Sequence, residues 1–210
     1  MKLQPFFDEV PRIVVQDPLA RLLGCAEDGL LAYGFADAVR LTGHACPTVA
    51  AAYWLTYLAL EHLYADTLPQ RGQIKVEFRD DARSGSSGVV ATVVQMLTGA
   101  AGGSGFKGLA GRFARAGLIR YKPDLLSTLR FTRLDTQEAV DASVDMAHVP
   151  ADPRLQPLLE RCVGGRANAQ EEADFAQLWL QRVRALLLDC ARDPAVFQLK
   201  PVKRIAALAA

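Results

Sequence analysis

A histidine and a cysteine lie two positions apart in the segment Gly43-His-Ala-Cys-Pro47, and their types and spacing could support chemistry. In an extended segment, side chains two apart point to the same side, so His44 and Cys46 are predicted to project together. Pro47 favours the first position of a helix, which predicts Cys46 at a helix start, where free N–H groups and the helix dipole favour a thiolate. Such a pair suits a soft divalent metal or haem iron, and equally a cysteine nucleophile with its base.

The pair alone does not define a site. Two ligands are fewer than the three or four that a protein metal site normally has. A cysteine at a helix start is also often just a small buried residue. Hydrolase chemistry has no specific support, because no Ser-His-Asp order and no spaced pair of carboxylates stands out.

A glycine-rich segment is the second unusual feature. Gly103–Gly108 satisfies G-x-G-x-x-G and follows the apolar run Val89–Leu97. A dinucleotide-binding interpretation requires that run to be a strand and a regular helix to follow the glycines. Gly111 and Gly117 interrupt any such helix, so dinucleotide binding is the weakest of the functional hypotheses.

The same glycines are compatible with a simpler anion site. Glycine lets backbone N–H groups approach an anion closely, and Lys107, Arg112 and Arg115 could add charge. A carboxylate, a phosphate or haem propionates would suit such a nest, and a close-packing turn is the structural alternative. The predicted ligand- or anion-binding residues are Gly103, Ser104, Gly105 and Lys107.

The most apolar stretch of the chain predicts the central element of the core. Pro47–Tyr64 has helical spacing of its apolar residues, and Glu61 is its only formally charged residue. Tyr53 and Trp54 lie on this helix and could form the wall of a pocket for a flat macrocycle. Ordinary core packing is the alternative for both rings.

Hydrophobic periodicity predicts the remaining elements. Val89–Leu97 is compatible with a buried strand or a buried helix. Helices are predicted at Leu155–Cys162 and Gln170–Asp189. Strands are predicted at Gly29–Thr42 (a strand or a strand plus a turn), Gln73–Asp80, Arg112–Tyr121, Thr128–Asp135 and Ala139–Met146, the last two pairing as a hairpin through Thr136–Glu138.

These elements predict an α+β fold in which a mixed or antiparallel sheet packs on a central apolar helix, followed by a helical carboxyl-terminal region. The predicted division is a metal-binding α+β core at residues 1–150 and a helical extension at residues 151–210, serving as a lid or a dimer arm. A chain of 210 residues with 50% hydrophobic residues is large enough for one substantial core.

Composition excludes several classes of protein. With 22% charged residues and a net charge of +1, the chain is neither disordered nor surrounded by a field that would recruit nucleic acid or an anionic membrane. Its uncharged stretches are short or interrupted by glycine, so no membrane span is predicted. The four cysteines are widely spaced, which is typical of reduced thiols and predicts a cytoplasmic location.

The segment Gly43–Pro47, followed by an apolar helix with Tyr53, resembles the GHxCPG…GYR signature of the FmdE-like family of formylmethanofuran dehydrogenase proteins. Gln95-Met-Leu-Thr-Gly-Ala-Ala-Gly-Gly-Ser-Gly resembles that family's DAIQ…TGCTxGKGN block. The resemblance covers roughly residues 30 to 135. It implies an α+β domain that dimerises and holds a metal, often zinc-like, with His44 and Cys46 as ligands.

The chain departs from the family pattern at several positions, which are Thr48 for a glycine, Trp54 for the arginine of GYR, Val89 and Ala100 for cysteines, and Ser104 for a lysine. A site of three cysteines and one histidine is therefore impossible on this pattern. Either the remaining ligands come from elsewhere, or the pocket takes a different cofactor such as haem, with His44 or Cys46 as axial ligand.

The sequence thus predicts a protein that binds a divalent transition metal (zinc, iron or nickel), or alternatively haem, through His44 and Cys46. A small-molecule ligand or cofactor and a second copy of the chain are the expected partners. Whether the protein is a metal-dependent enzyme or a sensor, carrier or store stays open. A dinucleotide-binding oxidoreductase is the third hypothesis.

Overall fold

The structure is a computed structural model that describes residues 3–202; residues 1–2 of the predicted core and 203–210 of the predicted extension lie outside the described residues. The helices in this range are α1 (Pro18–Leu22), α2 (Phe35–Thr42), α3 (Pro47–Tyr64), α4 (Ser87–Thr98), α5 (Leu155–Val163) and α6 (Ala169–Arg184). The strands are β1 (Ile13–Gln16), β2 (Leu30–Tyr33), β3 (Ile74–Phe78), β4 (Ile119–Tyr121), β5 (Leu129–Arg133), β6 (Ala139–Val144) and β7 (Phe197–Val202).

Two sheets organise the described strands. The main sheet has the order β4-β3-β5-β6-β7, and β1 pairs with β2 in a separate two-stranded sheet. The β3–β4 pair is parallel, while all other neighbours are antiparallel. The predicted hairpin of β5 and β6 is confirmed. This mixed sheet with its surrounding helices confirms the predicted α+β fold class.

Helix α3 is the centre of the core, as its composition predicts. Thirteen of its residues are buried, and it contacts α2, α4, α6, β6 and β7. Because it carries apolar residues on all sides, it is stable only when neighbouring elements surround it. Within residues 3–202, no helix combines the length and the apolar character that a membrane crossing requires.

The predicted strand at Gly29–Thr42 is correct only for its first part. The chain forms β2 up to Tyr33, and α2 then begins with Gly34 as its N-cap residue. The Asp37 side chain accepts a hydrogen bond from the Gly34 N–H at 2.9 Å, which stabilises the first turn of the helix. Local capping thus favours a helix where hydrophobic alternation suggested a strand.

The two segments around the glycine-rich region also differ from a strand interpretation. Val89–Leu97 is part of α4, which ends at Gly99 in the left-handed conformation. Of the predicted strand Arg112–Tyr121, only β4 forms, and the residues between α4 and β4 adopt an irregular loop. The strand-then-helix frame of a dinucleotide site is therefore absent from residues 87–121, and that hypothesis is wrong.

The carboxyl-terminal region is mostly helical, as predicted, and also supplies a strand that periodicity did not reveal. Its helices are α5, α6 and a short π-helical segment, Ala185–Asp189. β7 then pairs with β6 along its whole length and completes the main sheet. The division into a core and an extension at residue 150, and the role of a lid or dimer arm, stay predictions.

Asp17 forms a buried ion cluster that joins distant parts of the chain. Its carboxylate accepts hydrogen bonds from Arg71 and Arg115, both at 2.8 Å, and from the N–H groups of Leu19 and Ala20 at the start of α1. Burial alone raises the pKa of Asp17, but the hydrogen bonds from Arg71 and Ala20 and the charge of Arg115 lower it further, so the net shift is downward. The cluster thereby fastens the loop that contains Arg115 to α1.

Glu77 departs from the alternating pattern of β3, because it is buried rather than solvated. The ammonium groups of Lys75 and Lys122 each lie 3.1 Å from its carboxylate. Burial raises the pKa of Glu77, whereas hydrogen bonds from Lys122 and Lys75 outweigh that effect and place the pKa below its ordinary value. The carboxylate is thus held ionised beneath two lysines.

We expect Glu77→Gln to change the pH dependence of stability. A lowered folded-state pKa contributes stability above the ordinary glutamate pKa of about 4.3, and this contribution is lost as the pH falls through the folded-state value. The variant should therefore be less stable than the wild type by about 1 kcal/mol at pH 7, and this difference should vanish at low pH. Urea unfolding at a series of pH values checks this, and a difference that stays constant over that range would refute it.

Candidate functional site

The segment Gly43–Cys46 connects the end of α2 to the start of α3. Gly43 ends α2 with a φ of 78°, a left-handed conformation that favours glycine, and its N–H donates to the carbonyl of Val39. Cys46 is extended and is the N-cap residue of α3, with Pro47 in the first turn. The structure therefore places both predicted metal ligands in the short connection between two helices.

His44 is exposed, and its ring orientation is fixed by a backbone contact. Its Nδ1 lies 3.0 Å from the carbonyl oxygen of Thr42. A carbonyl oxygen can only accept a hydrogen bond, so Nδ1 carries the hydrogen. In the neutral ring the lone pair is then on Nε2, which is the arrangement of a histidine that binds a metal through Nε2.

The sulfur of Cys46 takes the place that a serine or aspartate oxygen usually has at a helix N-terminus. The Val49 N–H donates to Sγ at 3.4 Å, and the residue is half-buried. The thiol is not part of a disulfide. The first-turn N–H groups and the helix dipole favour negative charge at this end of α3, so a metal-binding thiolate is suited to the position.

Two further residues hold the connection in place. Trp179 of α6 donates a hydrogen bond from Nε1 to the carbonyl of Ala45 at 2.9 Å. The Thr42 hydroxyl lies 3.0 Å from the carbonyl oxygen of His44. The backbone on both sides of His44 is thus fixed, which reduces the entropy lost when the side chains bind an ion.

The chemistry of the donors fits a borderline or soft metal ion. An imidazole nitrogen and a thiolate sulfur are typical ligands of zinc and of other first-row transition metals, whereas calcium and magnesium prefer oxygen. Over residues 3–202, no cluster of three or more His, Cys, Asp or Glu side chains has the geometry to hold a metal ion. One chain therefore offers this pair of donors without a third of these types beside it.

Tyr53 and Trp54, predicted as a pocket wall, lie in the hydrophobic core. The Tyr53 hydroxyl is 2.7 Å from the carbonyl oxygen of Pro11, and burial raises the pKa of this phenol. Trp54 Nε1 donates to the carbonyl of Ala191 at 2.6 Å, and its ring stacks on Tyr57. This placement agrees with the core alternative, and a role beside a macrocycle stays a prediction.

The glycine-rich residues lie in the irregular loop between α4 and β4, where Gly103, Ser104 and Lys107 are exposed and Gly105 is half-buried. A Cβ on Gly105 would overlap the side chain of Ala101, so close packing alone accounts for this glycine. Arg115, a candidate for anion binding, is instead paired with Asp17. Anion binding by the loop stays a prediction.

Sequence reasoning missed Thr42 and Trp179 as supports of the site. Thr42 could have been found, because a threonine at a helix end often bonds to nearby backbone groups. Trp179 gave no local signal, since it is 134 residues away from Ala45 along the chain. Its helical periodicity predicted burial but not a partner.

Comparison with known proteins gives limited similarity. No family model matches the chain, and no curated protein matches it. Among solved structures, it is similar to a tungsten formylmethanofuran dehydrogenase FmdE-like protein from Syntrophus aciditrophicus, with a TM-score of 0.42 and 16% sequence identity. The similarity covers 82% of this chain and 73% of that chain.

Proposed function

We propose that this protein binds a divalent transition metal ion, with His44 Nε2 and Cys46 Sγ as its ligands. The observation that carries the proposal is the hydrogen bond between His44 Nδ1 and the Thr42 carbonyl, because it leaves Nε2 free as a donor. Cys46 adds a sulfur at the N-terminus of α3, and both residues reach the surface.

Zinc is the preferred ion for this donor pair, and iron and nickel are the alternatives. Zinc binds readily to one nitrogen and one sulfur and imposes no geometric preference of its own. When bound, the ion would supply Lewis-acid chemistry to a small molecule at its remaining positions. The chain's own residues have defined parts in this site: Thr42 orients the imidazole, Trp179 holds the Ala45 carbonyl, and the first turn of α3 faces the sulfur.

Haem is the alternative cofactor, because His and thiolate are both good axial ligands. The two aromatic residues that a macrocycle would be expected to contact, Tyr53 and Trp54, are packed in the core. Mononuclear metal binding requires no such wall and therefore needs fewer rearrangements. For this reason it is the function we favour.

The direct test is the metal content and absorption spectrum of the purified protein. We expect a colourless protein that retains zinc after extensive dialysis and loses it to a strong chelator. A Soret band would instead identify haem, and visible d–d bands would indicate iron or nickel. Protein that contains none of these and takes up no zinc when the metal is added back would overturn the proposal.

A further inference from the structure

We infer that two copies of this chain share one zinc ion, each contributing His44 and Cys46 to a closed site at the interface. This inference rests on the proposed function and specifies the partner that completes the site. It assigns to a second copy of the chain the ligands that one copy does not supply.

The ligand count is the first argument. A structural zinc site is almost always four-coordinate, and combinations of two cysteines with two histidines are common. The described part of the chain, residues 3–202, offers no third His, Cys, Asp or Glu in position beside the pair. Two copies related by a two-fold axis would supply two imidazoles and two thiolates, which completes a tetrahedron.

The position of the pair is the second argument. His44 is exposed and Cys46 is half-buried, in a connection that lies at the surface between α2 and α3. In a two-fold interface the same surface patch meets itself, so a ligand pair on one copy faces the identical pair on the other. An exposed pair on a fixed backbone is suited to such an arrangement.

The surroundings of the pair are the third argument. A two-fold axis brings each nearby charge close to its own copy, and like charges facing each other are costly. From Leu41 to Leu60 the chain contains no Asp, Glu, Lys or Arg. The preceding charged residue, Arg40, is paired with Asp37 at 2.7 Å. The surface around the ligands therefore carries little charge that would oppose self-association.

An exposed leucine next to the ligands supports the same conclusion. Leu41, in the last turn of α2, has 49% of its surface exposed, three positions before His44. Contact with a second copy would remove this apolar surface from water, which stabilises the assembly. The same face thus offers metal ligands and an apolar contact.

The test combines the zinc stoichiometry with the molar mass of the full chain. The metal-free protein should be a monomer in sedimentation equilibrium, and titration with zinc should give a dimer that holds about one ion per two chains. Cobalt substitution should give the d–d bands of a tetrahedral site, with a sulfur-to-metal band of the intensity that two thiolates produce. A monomer that binds one zinc ion per chain would overturn the inference and leave the proposed function intact. Absence of zinc binding would overturn both.

A variant that keeps every ligand distinguishes an interface from a site within one chain. Leu41→Glu places two like charges across the axis and should weaken the zinc-loaded dimer by at least about tenfold. Leu126→Glu is the matched control, because Leu126 is 94% exposed in the loop between β4 and β5 and should leave the dimer unchanged. Equal dimer stability in both variants would contradict this interface.

Discussion

Replacing His44 by alanine, or Cys46 by serine, weakens zinc binding by at least about a hundredfold. Loss of a residue that merely orients a metal ligand typically costs 10- to 100-fold in affinity, and loss of a ligand costs more. His44 supplies the only nitrogen of the pair and Cys46 the only sulfur, so neither can replace the other. Competition titration against a chromogenic chelator measures the affinity of each variant.

The chain contains a matched control for each substitution. His62 is an exposed histidine near the other end of α3, and Cys25 is an exposed free cysteine after α1. His62→Ala and Cys25→Ser should therefore bind zinc as the wild type does. If all four variants lost zinc equally, or none did, the assignment of His44 and Cys46 as ligands would be wrong.

The largest expected effect on stability is that of Asp17→Asn, which lowers the free energy of unfolding by about 3 kcal/mol. The asparagine oxygen can still accept from Leu19 and Ala20 N–H, so the start of α1 keeps its cap. What is removed is the negative charge between Arg71 and Arg115, which leaves two guanidinium groups without a counter-charge. Guanidinium-chloride unfolding at pH 7 measures the change.

An exposed carboxylate provides the comparison for Asp17. Asp81 lies 3.8 Å from Arg83, and both side chains are largely solvated. Asp81→Asn makes the same chemical change and should cost less than about 0.5 kcal/mol, because surface ion pairs contribute little. Similar losses for the two variants would show that the Asp17 cluster is not a special stabilising feature of the fold.

The elements that follow from sequence are those whose determinants are local. Helix α3 begins at Pro47 and ends at Tyr64, as its proline and its apolar length predict. The β5–β6 hairpin likewise follows from two alternating segments and a short connection. In each case the residues that define the element lie within it.

The elements that sequence reasoning missed depend on partners elsewhere in the chain. Arg112–Tyr121 is mostly loop, because Arg115 is drawn to Asp17, which is 98 residues earlier. β7 contains Pro201 and Lys200 and has no clear alternation, so its pairing with β6 had no local signal. Strand and loop in these segments are decided by tertiary contacts rather than by periodicity.

The candidate site divides in the same way. The position of Cys46 at a helix start was predicted from Pro47 and is confirmed. The hydrogen bond that orients His44 and the anchor from Trp179 were not predicted, because each depends on the folded backbone. Spacing thus identified the donors, and the structure identified what holds them.

X-ray absorption at the zinc edge of the metal-loaded protein tests the central claim most directly. We predict a first shell that contains both sulfur, at about 2.3 Å, and imidazole nitrogen, at about 2.0 Å. The sulfur contribution should disappear in Cys46→Ser, and the imidazole scattering in His44→Ala. A shell made only of oxygen or nitrogen in the wild-type protein would contradict the account.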